Sequence, residues 1–395
     1  MKIFEKSFTQ QEPIPEAGIQ AACEVMRSGR LHRYNLVEGE CGEANLLEKE
    51  FSNYLGLPYV LACASCGYAL HIALKAAGIQ SGDIVLTNAF TLAPVPGAIH
   101  NSGGVPELIE LTEDYLIDLE HLEQSVQRTK ARFFLLSHMR GHIVNMEQVE
   151  SLCQKYNLYL IEDCAHTMGA QWNGRKSGTF GQISCFSTQT YKHINSGEGG
   201  LLATKDPEVM AKLILYSGSY MLFETHTLAP DPEVFAAIRY NIPNYSGRMD
   251  QLRAAILRPQ LAALDEQVAR WNALYCCVAE GLQKSSKIIF PNRPPEEKFV
   301  GSSIQFSLPD FSEQQIRQVL VRCKERGVVL KWFGDSVPRG FTSRYDSWHY
   351  LDSLPELLRT KKVLAKLLDM RIPLTFLRED CLLLSEIIVD VVENL

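Results

Sequence analysis

Lys192 is the residue around which chemistry can be built. It stands in Phe186-Ser187-Thr188-Gln189-Thr190-Tyr191-Lys192-His193-Ile194-Asn195-Ser196-Gly197-Glu198-Gly199-Gly200, a run of small and polar residues closed by glycines. Ile183-Ser184-Cys185-Phe186 before it and Gly199-Gly200-Leu201-Leu202-Ala203-Thr204 after it read as buried strands. The lysine is therefore expected on a turn between two core strands. An amine held there loses solvation, its pKa falls toward neutrality, and it becomes a Schiff-base former. A loop lysine taken alone is ordinarily a solvated surface group, so the assignment depends on partners elsewhere in the chain.

Three such partners can be named. Asp163, beside Glu162, ends the apolar run Leu158-Tyr159-Leu160-Ile161. A partly buried carboxylate there calls for a cation, though a cap or an internal ion pair is an equally ordinary use. Ser65-Cys66-Gly67-Tyr68 leads from a strand into a helix N-terminus, where free N–H groups and the helix dipole can hold a phosphate. Ser187 lies shortly before Lys192 and offers a hydroxyl. A phosphate cradle at Cys66 and Gly67, a carboxylate and an amine in one cleft describe a site for pyridoxal 5'-phosphate. Lys192 would bond the aldehyde, Asp163 would keep the pyridine nitrogen protonated, and Ser187 with the helix terminus would fix the phosphate.

The elements that must position these residues follow from the apolar periodicity. Helices are expected at 17–26 and 43–54, stopped by Gly29 and Gly56. Strands at 59–63, 84–86, 105–109, 132–137 and 158–161 alternate with helices at 69–77, 93–101, 119–126 and 146–156. Such alternation predicts βαβ units and a mostly parallel sheet covered on both faces. Ligands then bind beyond the carboxyl ends of the strands, where Ser65-Cys66-Gly67 and Glu162-Asp163 both fall. A helix at 205–216 precedes a loop-rich stretch, 220–245, with no assigned element. A long helical stretch, 249–282, broken near Pro259, leads to a smaller second unit. That unit holds a strand at 303–308, a helix opened by the capping box Ser312-Glu313-Gln314-Gln315, a strand at 328–330, and helices at 354–368 and 379–392. The expected division is 1–255, binding the cofactor, and 256–395.

The sequence also resembles the DegT/StrS group of fold-type I pyridoxal phosphate enzymes, mostly sugar aminotransferases, over nearly its whole length. Ala64-Ser65-Cys66-Gly67-Tyr68-Ala69-Leu70-His71 is similar to the family's phosphate turn, and Ile161-Glu162-Asp163-Cys164-Ala165-His166 to its strand-end motif. The lysine segment with Gly197-Glu198-Gly199-Gly200 is the most specific match. The resemblance implies a seven-stranded, mostly parallel sheet and a smaller α+β unit. It implies that His166 contacts the cofactor ring, that Leu92 stands where an aromatic usually stacks on that ring, and that Ser246 stands where an Asn usually crosses to a partner's phosphate. Each site of a homodimer would thus borrow residues from the second chain, with Arg248-Met249-Asp250-Gln251 in the crossing segment. Gly67 replaces the usual Thr, and Leu330-Lys331-Trp332-Phe333-Gly334-Asp335 replaces a His-Tyr-Pro run near the substrate.

Composition narrows the classes. Apolar residues make up 46% and charged residues 22%, as in a globular protein. The balance of 39 basic and 46 acidic residues gives −7, which argues against bulk attraction to nucleic acid or an anionic membrane. Eleven scattered cysteines, no apolar leader and no membrane-length apolar run lead to a cytoplasmic expectation. Cys63-Ala64-Ser65-Cys66 has CxxC spacing without a second pair to complete a zinc site. The function expected is an aminotransferase carrying an amino group from glutamate or glutamine to a keto or aldehyde acceptor, a keto-sugar, cyclitol or related intermediate, through an internal aldimine and a pyridoxamine form. The alternatives are elimination, dehydration or C–C bond chemistry on an amino-acid-like substrate, and a non-catalytic regulatory protein of the same fold.

Overall fold

The computed structural model describes residues 2–337, 344–351 and 353–395. After helices α1 (Glu16–Ser28) and α2 (Glu43–Leu55), the chain alternates β1 (Tyr59–Cys63), α3 (Cys66–Ala76), β2 (Ile84–Asn88), α4 (Pro94–Asn101), β3 (Val105–Ile109), α5 (Leu119–Thr129), β4 (Phe133–Ser137), α6 (Met146–Tyr156) and β5 (Tyr159–Asp163). The short strands β6 (Gln171–Trp172) and β7 (Arg175–Lys176) precede β8 (Ile183–Ser187) and β9 (Gly200–Thr204). These build a seven-stranded sheet of order β1-β9-β8-β5-β4-β2-β3. β9 alone runs against its neighbours, pairing antiparallel with both β1 and β8. The expected α/β architecture is the one observed.

Both faces of the sheet are buried, which is why its strands read as unbroken apolar runs. Successive side chains point to opposite faces. Val60, Phe134, Leu136, Leu160, Phe186 and Leu201 fill one core with Leu47 and Phe51 of α2. Leu61, Phe133, Leu135, Ile161, Ile183 and Leu202 fill the other with Leu70 and Leu74 of α3.

Beyond β9 come α7 (Pro207–Ser217), α8 (Pro232–Ile238), α9 (Gln251–Ala262) and α10 (Leu264–Leu282). α8 lies inside the stretch that sequence left without an element. The long helix breaks at Ala263 (φ −94°, ψ 1°) and not at Pro259, which sits within α9. Proline removes one N–H and crowds the carbonyl of Ala255, and the helix completes one more turn before it yields.

A second, three-stranded sheet has the order β11 (Ser303–Ser307), β13 (Leu367–Arg371), β12 (Lys331–Trp332). Between these strands lie α11 (Glu313–Glu325), opened by the expected capping box, and α12 (Leu358–Leu364). α13 (Arg378–Glu393) follows, while β10 (Glu297–Lys298) pairs with β6. Two expectations are corrected here. The strand expected at 328–330 pairs only at Lys331–Trp332, and the helix expected over 354–368 stops at Leu364, giving way to β13. Leu367-Leu368 suits either structure by local preference, and antiparallel pairing with β11 decides it. The first residues join this core: Phe4 and Phe8 set their rings edge-on against Phe376 at 5.1 and 5.2 Å, and Phe4 N–H donates to Arg326 O at 2.9 Å.

Candidate active site

Strand register places the candidate residues at one end of the large sheet, in two rows set two residues apart. Cys63 of β1 and Ser187 of β8 both pair with Gly200. Asp163 of β5 lies between Cys185 of β8 and Ser137 of β4. Because β9 runs backwards, its first residue meets the carboxyl ends of its neighbours. The Ser187–Gly200 connection carrying Lys192 therefore hangs over those ends.

The cradle is built by α3. Ser65 caps the helix, its hydroxyl accepting from Tyr68 N–H at 3.1 Å, so Cys66 and Gly67 are its first two residues. Gly200 is required there, since a Cβ would lie 2.6 Å from the Ser65 carbonyl and 2.7 Å from Cys66 N. Gly67 differs: a Cβ would meet only Pro94, at 3.8 Å, so the position opens onto free space. Burial pushes the Cys66 thiol well up, and the charges of Asp163 and Lys192 both reach it. The thiol is therefore protonated and apolar in character.

Asp163 is buried and tethered. Its Oδ2 accepts from Ser137 Oγ at 2.8 Å, and its Oδ1 from Ala165 N–H at 3.1 Å. Thr91 Oγ1 in turn donates to Ser137 Oγ at 2.8 Å, while Asn88 exchanges hydrogen bonds with the Ser137 backbone. Burial raises the Asp163 pKa, and the Ser137 hydroxyl opposes that rise. Glu162 does not share the crevice, contrary to expectation. Strand alternation turns it to the other face, where it accepts from the N–H groups of Gly178, Phe180 and Gly181.

Lys192 Nζ donates to His166 Nε2 at 2.9 Å. Burial, aided by the positive charges of Arg140 and Arg371, pulls the Lys192 amine down to about 8 against the attraction of Asp163. Burial also drives His166 well below its ordinary range, with Lys192 and Arg140 adding to the effect. His166 is thus a neutral acceptor. Ser187 is buried at the end of β8, its hydroxyl accepting from Gln189 N–H at 3.3 Å.

Leu92 is half-buried against a cluster containing Phe90, Phe333 and Leu367. Nearby Phe90 is fully buried, its ring edge-on to that of Phe333 at 4.9 Å. Ser246 stands apart from these rows. It is exposed, in a left-handed conformation (φ 59°), and its hydroxyl accepts from Arg248 at 2.7 Å. Its segment is nevertheless anchored beside the cradle, where Gly247 O accepts from Ala64 N–H at 2.8 Å.

Sequence reasoning missed the Thr91–Ser137 support of Asp163. It also missed a basic group formed by Arg140, Lys331 and Arg371 around Asp369, assembled from three separate parts of the chain. The nearest signal was the pair of charges inside the apolar run Leu367-Leu368-Asp369-Met370-Arg371.

The residues fit pyridoxal phosphate on two observations of the chain itself: a lysine with a depressed pKa facing a tethered, buried carboxylate, and open space at Gly67 against a helix N-terminus. The fold is that of the fold-type I pyridoxal phosphate enzymes. Residues 14–337 match the DegT/DnrJ/EryC1/StrS aminotransferase family, and the chain belongs to it. It is 31% identical to the UDP-N-acetyl-3-dehydro-alpha-D-glucosamine 3-aminotransferase of Acidithiobacillus ferrooxidans, over 67% of this chain and 72% of that protein. It is 34% identical to the GDP-perosamine synthase of Caulobacter vibrioides, over 56% and 57%. The chain spans about half the length of the curated relatives it matches, 43% of one and 57% of another. Among solved structures, PseC of Helicobacter pylori, an aminotransferase of pseudoaminic acid biosynthesis, superposes with a TM-score of 0.84 at 18% identity, covering all of both chains. Among the described residues no helix is long and apolar enough to cross a membrane.

Proposed function

We propose that this protein is an aminotransferase that moves an amino group from glutamate or glutamine to a keto or aldehyde carbon of a sugar-like or cyclic acceptor. The observation that carries this reading is the Lys192 amine, lowered to about 8 and held 2.9 Å from a neutral His166, in the crevice of a buried Asp163. An amine near neutrality can both take and return a proton at working pH. Pyridoxal phosphate, when bound, supplies an electron sink for the substrate carbanion. Lys192 is the residue to bond it and to carry the proton between substrate carbons. Asp163, aligned by Ser137 and Ala165, is the residue to keep its ring nitrogen protonated. The first N–H groups of α3, at Cys66 and Gly67, and the Ser187 hydroxyl are its phosphate ligands. Leu92 supplies an aliphatic wall.

The reading extends to assembly. Ser246 and Arg248 are placed to serve the phosphate of a second copy, so the working form is a homodimer. The exposed Tyr220, Met221, Leu222 and Tyr240 of the neighbouring segment support such a contact. The cofactor-binding unit is read as 1–255 and the smaller one as 256–395, with Phe4 and Phe8 reaching back to pack on the smaller unit's core. Eleven free cysteines suit a reducing cytoplasm.

The test follows the cofactor absorbance of reconstituted protein during addition of glutamate or glutamine, with chromatography of the 2-oxo acid formed. Conversion by the parent and none by Lys192→Ala is expected. Absence of 2-oxo acid from the parent would overturn transamination, and release of a carbonyl product without amino transfer would point to elimination.

A further inference from the structure

The turn that carries Lys192 is fastened at its base and gripped near its tip by different parts of the chain. At the base, Thr190 N–H donates to Gly197 O at 3.0 Å, and Ser196 N–H to Thr188 O at 2.9 Å. Beyond the lysine, Gln260 of α9 holds Asn195 with both amide atoms, accepting from its N–H at 2.9 Å and donating to its carbonyl at 2.8 Å. The two neighbours of Lys192 are held instead from the side of the small sheet. His193 is buried, and its Nε2 shares a hydrogen bond of 3.0 Å with Ser302 Oγ, the residue before β11. Its ring stands edge-on to Trp271 of α10, 5.2 Å between centres. Trp271 Nε1–H donates to Ile372 O at 3.0 Å, and Ile372 N–H donates to Ser302 O at 2.9 Å. His193, Ser302, Ile372 and Trp271 thus close a ring of contacts. On the other side of the lysine, Arg371 lies over the ring of Tyr191, with the guanidinium carbon 3.8 Å from the ring centre.

We propose that His193 and Ser302 are positioning residues for Lys192: through their hydrogen bond, the seating of the small sheet sets where the reacting amine stands. The inference rests on the aminotransferase reading and adds to it two residues that act only through Lys192. A lysine carries its amine on a flexible four-carbon stem, so the backbone on both sides must be fixed if the amine is to return to one place. Burial and the charge of Lys192 lower His193 to about 3, against the Met168 carbonyl, so its ring is neutral. It therefore acts on the amine through placement and not through charge. The groups whose charge reaches Lys192 are Asp163 of β5, Arg140 after β4, Arg371 of β13 and the Cys66 thiol of α3, while neutral His166 is bonded to it. Substituting His193 or Ser302 leaves all of these in the chain, so a change in the titration of the amine reports its position. Released from the pair, the turn admits water, and the amine climbs from about 8 back toward 10.5.

The experiment acetylates the full-length apoprotein briefly with acetic anhydride over a pH series and reads modification of Lys192 by peptide mass spectrometry. The parent should titrate at about 8. Ser302→Ala and His193→Leu should each raise the midpoint by about one pH unit. The double variant should go no further than His193→Leu alone, because both changes remove the same bond. His193→Gln, whose amide can reach the Ser302 hydroxyl, should titrate with the parent, which also shows that the fold accepts a change at this position. In the holoenzyme, Ser302→Ala should slow the limiting rate of the donor half-reaction on the order of tenfold and leave the half-saturating donor concentration within about twofold. The proposal is overturned if Ser302→Ala and His193→Leu both titrate with the parent, if their shifts add in the double variant, or if Ser302→Ala alters half-saturation alone. His193→Gln titrating with His193→Leu would assign the effect to ring packing and overturn the pairing with Ser302. A midpoint that depends on Ser302 in a protein forming no 2-oxo acid from any donor would sink transamination while leaving the pair standing. The reverse pattern would sink the pair alone.

Discussion

Lys192→Met removes the amine on which the chemistry depends, and it should make the apoprotein more stable. The folded chain lowers this lysine from 10.5 to about 8, mainly by burial, so it holds the proton less tightly than the unfolded chain does. At pH 7 both states are protonated, and the folded state bears the full cost of the charge. The interval from 10.5 to about 8 corresponds to roughly 3 kcal/mol at about 1.36 kcal/mol per pH unit. Lys192 keeps some contact with water, and screening reduces this to ~2–3 kcal/mol. Loss of the hydrogen bond to His166 takes back about 1 kcal/mol. A net gain of ~1–2 kcal/mol should remain at pH 7. Between about pH 8 and 10.5 the unfolded parent holds more protons than the folded one, so the parent's stability rises with pH and the advantage of the variant shrinks. Urea denaturation of both apoproteins at pH 7 and pH 9.5 measures the difference. A variant less stable than the parent at pH 7, or an advantage equal at both pH values, would refute the reasoning.

Other substitutions probe the supporting geometry. Ser137→Ala removes a hydrogen bond to a carboxylate, a change of about 1.5–3 kcal/mol, and should move the acidic limb of the donor half-reaction upward by about one to two pH units. An unmoved limb would separate Ser137 from Asp163. Gly200→Ala forces a methyl group against the Ser65–Cys66 backbone, and should cost ~1–3 kcal/mol and loosen the cofactor; retention on dialysis equal to that of the parent would count against the close packing. Gly67→Thr fits beside Pro94, places a hydroxyl at the cradle, and should slow cofactor release to a competing apoenzyme, whereas faster release would show the space is needed empty.

The large sheet was legible because burial on both faces leaves its strands as apolar runs, and the turns between them carry capping residues such as Ser65 and Asp118. Lys192, Asp163 and Cys66 could be joined because a parallel sheet brings strand ends together whatever their separation in sequence. β13 was not legible. Its residues obey no local preference strong enough to oppose a helix, and only β11, far away in the chain, settles the matter. Arg140, Lys331 and Arg371 were hidden for the same reason. Arg140 and Arg371 are unremarked basic residues in their own segments, Lys331 stands out only as part of a departing run, and their meeting depends on how the small sheet faces the large one. The break at Ala263 shows a subtler failure, since a proline marks a weakened helix without fixing the residue at which the chain turns.

The docking of Phe4 and Phe8 on Phe376 imposes an order on synthesis. These rings are made long before the surface that receives them, which is completed by α13. At about 5–20 residues per second the early segment waits on the order of 20–80 s for its place. The large sheet lies wholly within that interval and can assemble meanwhile. The small sheet cannot, because Leu367–Arg371 is its middle strand and both neighbours hang on it. A nascent chain can thus possess the Lys192 turn and the N-terminus of α3 well before Leu367–Arg371 arrives, and a chain stopped short of β13 would hold the large sheet complete with the seat of Phe4 and Phe8 still unmade.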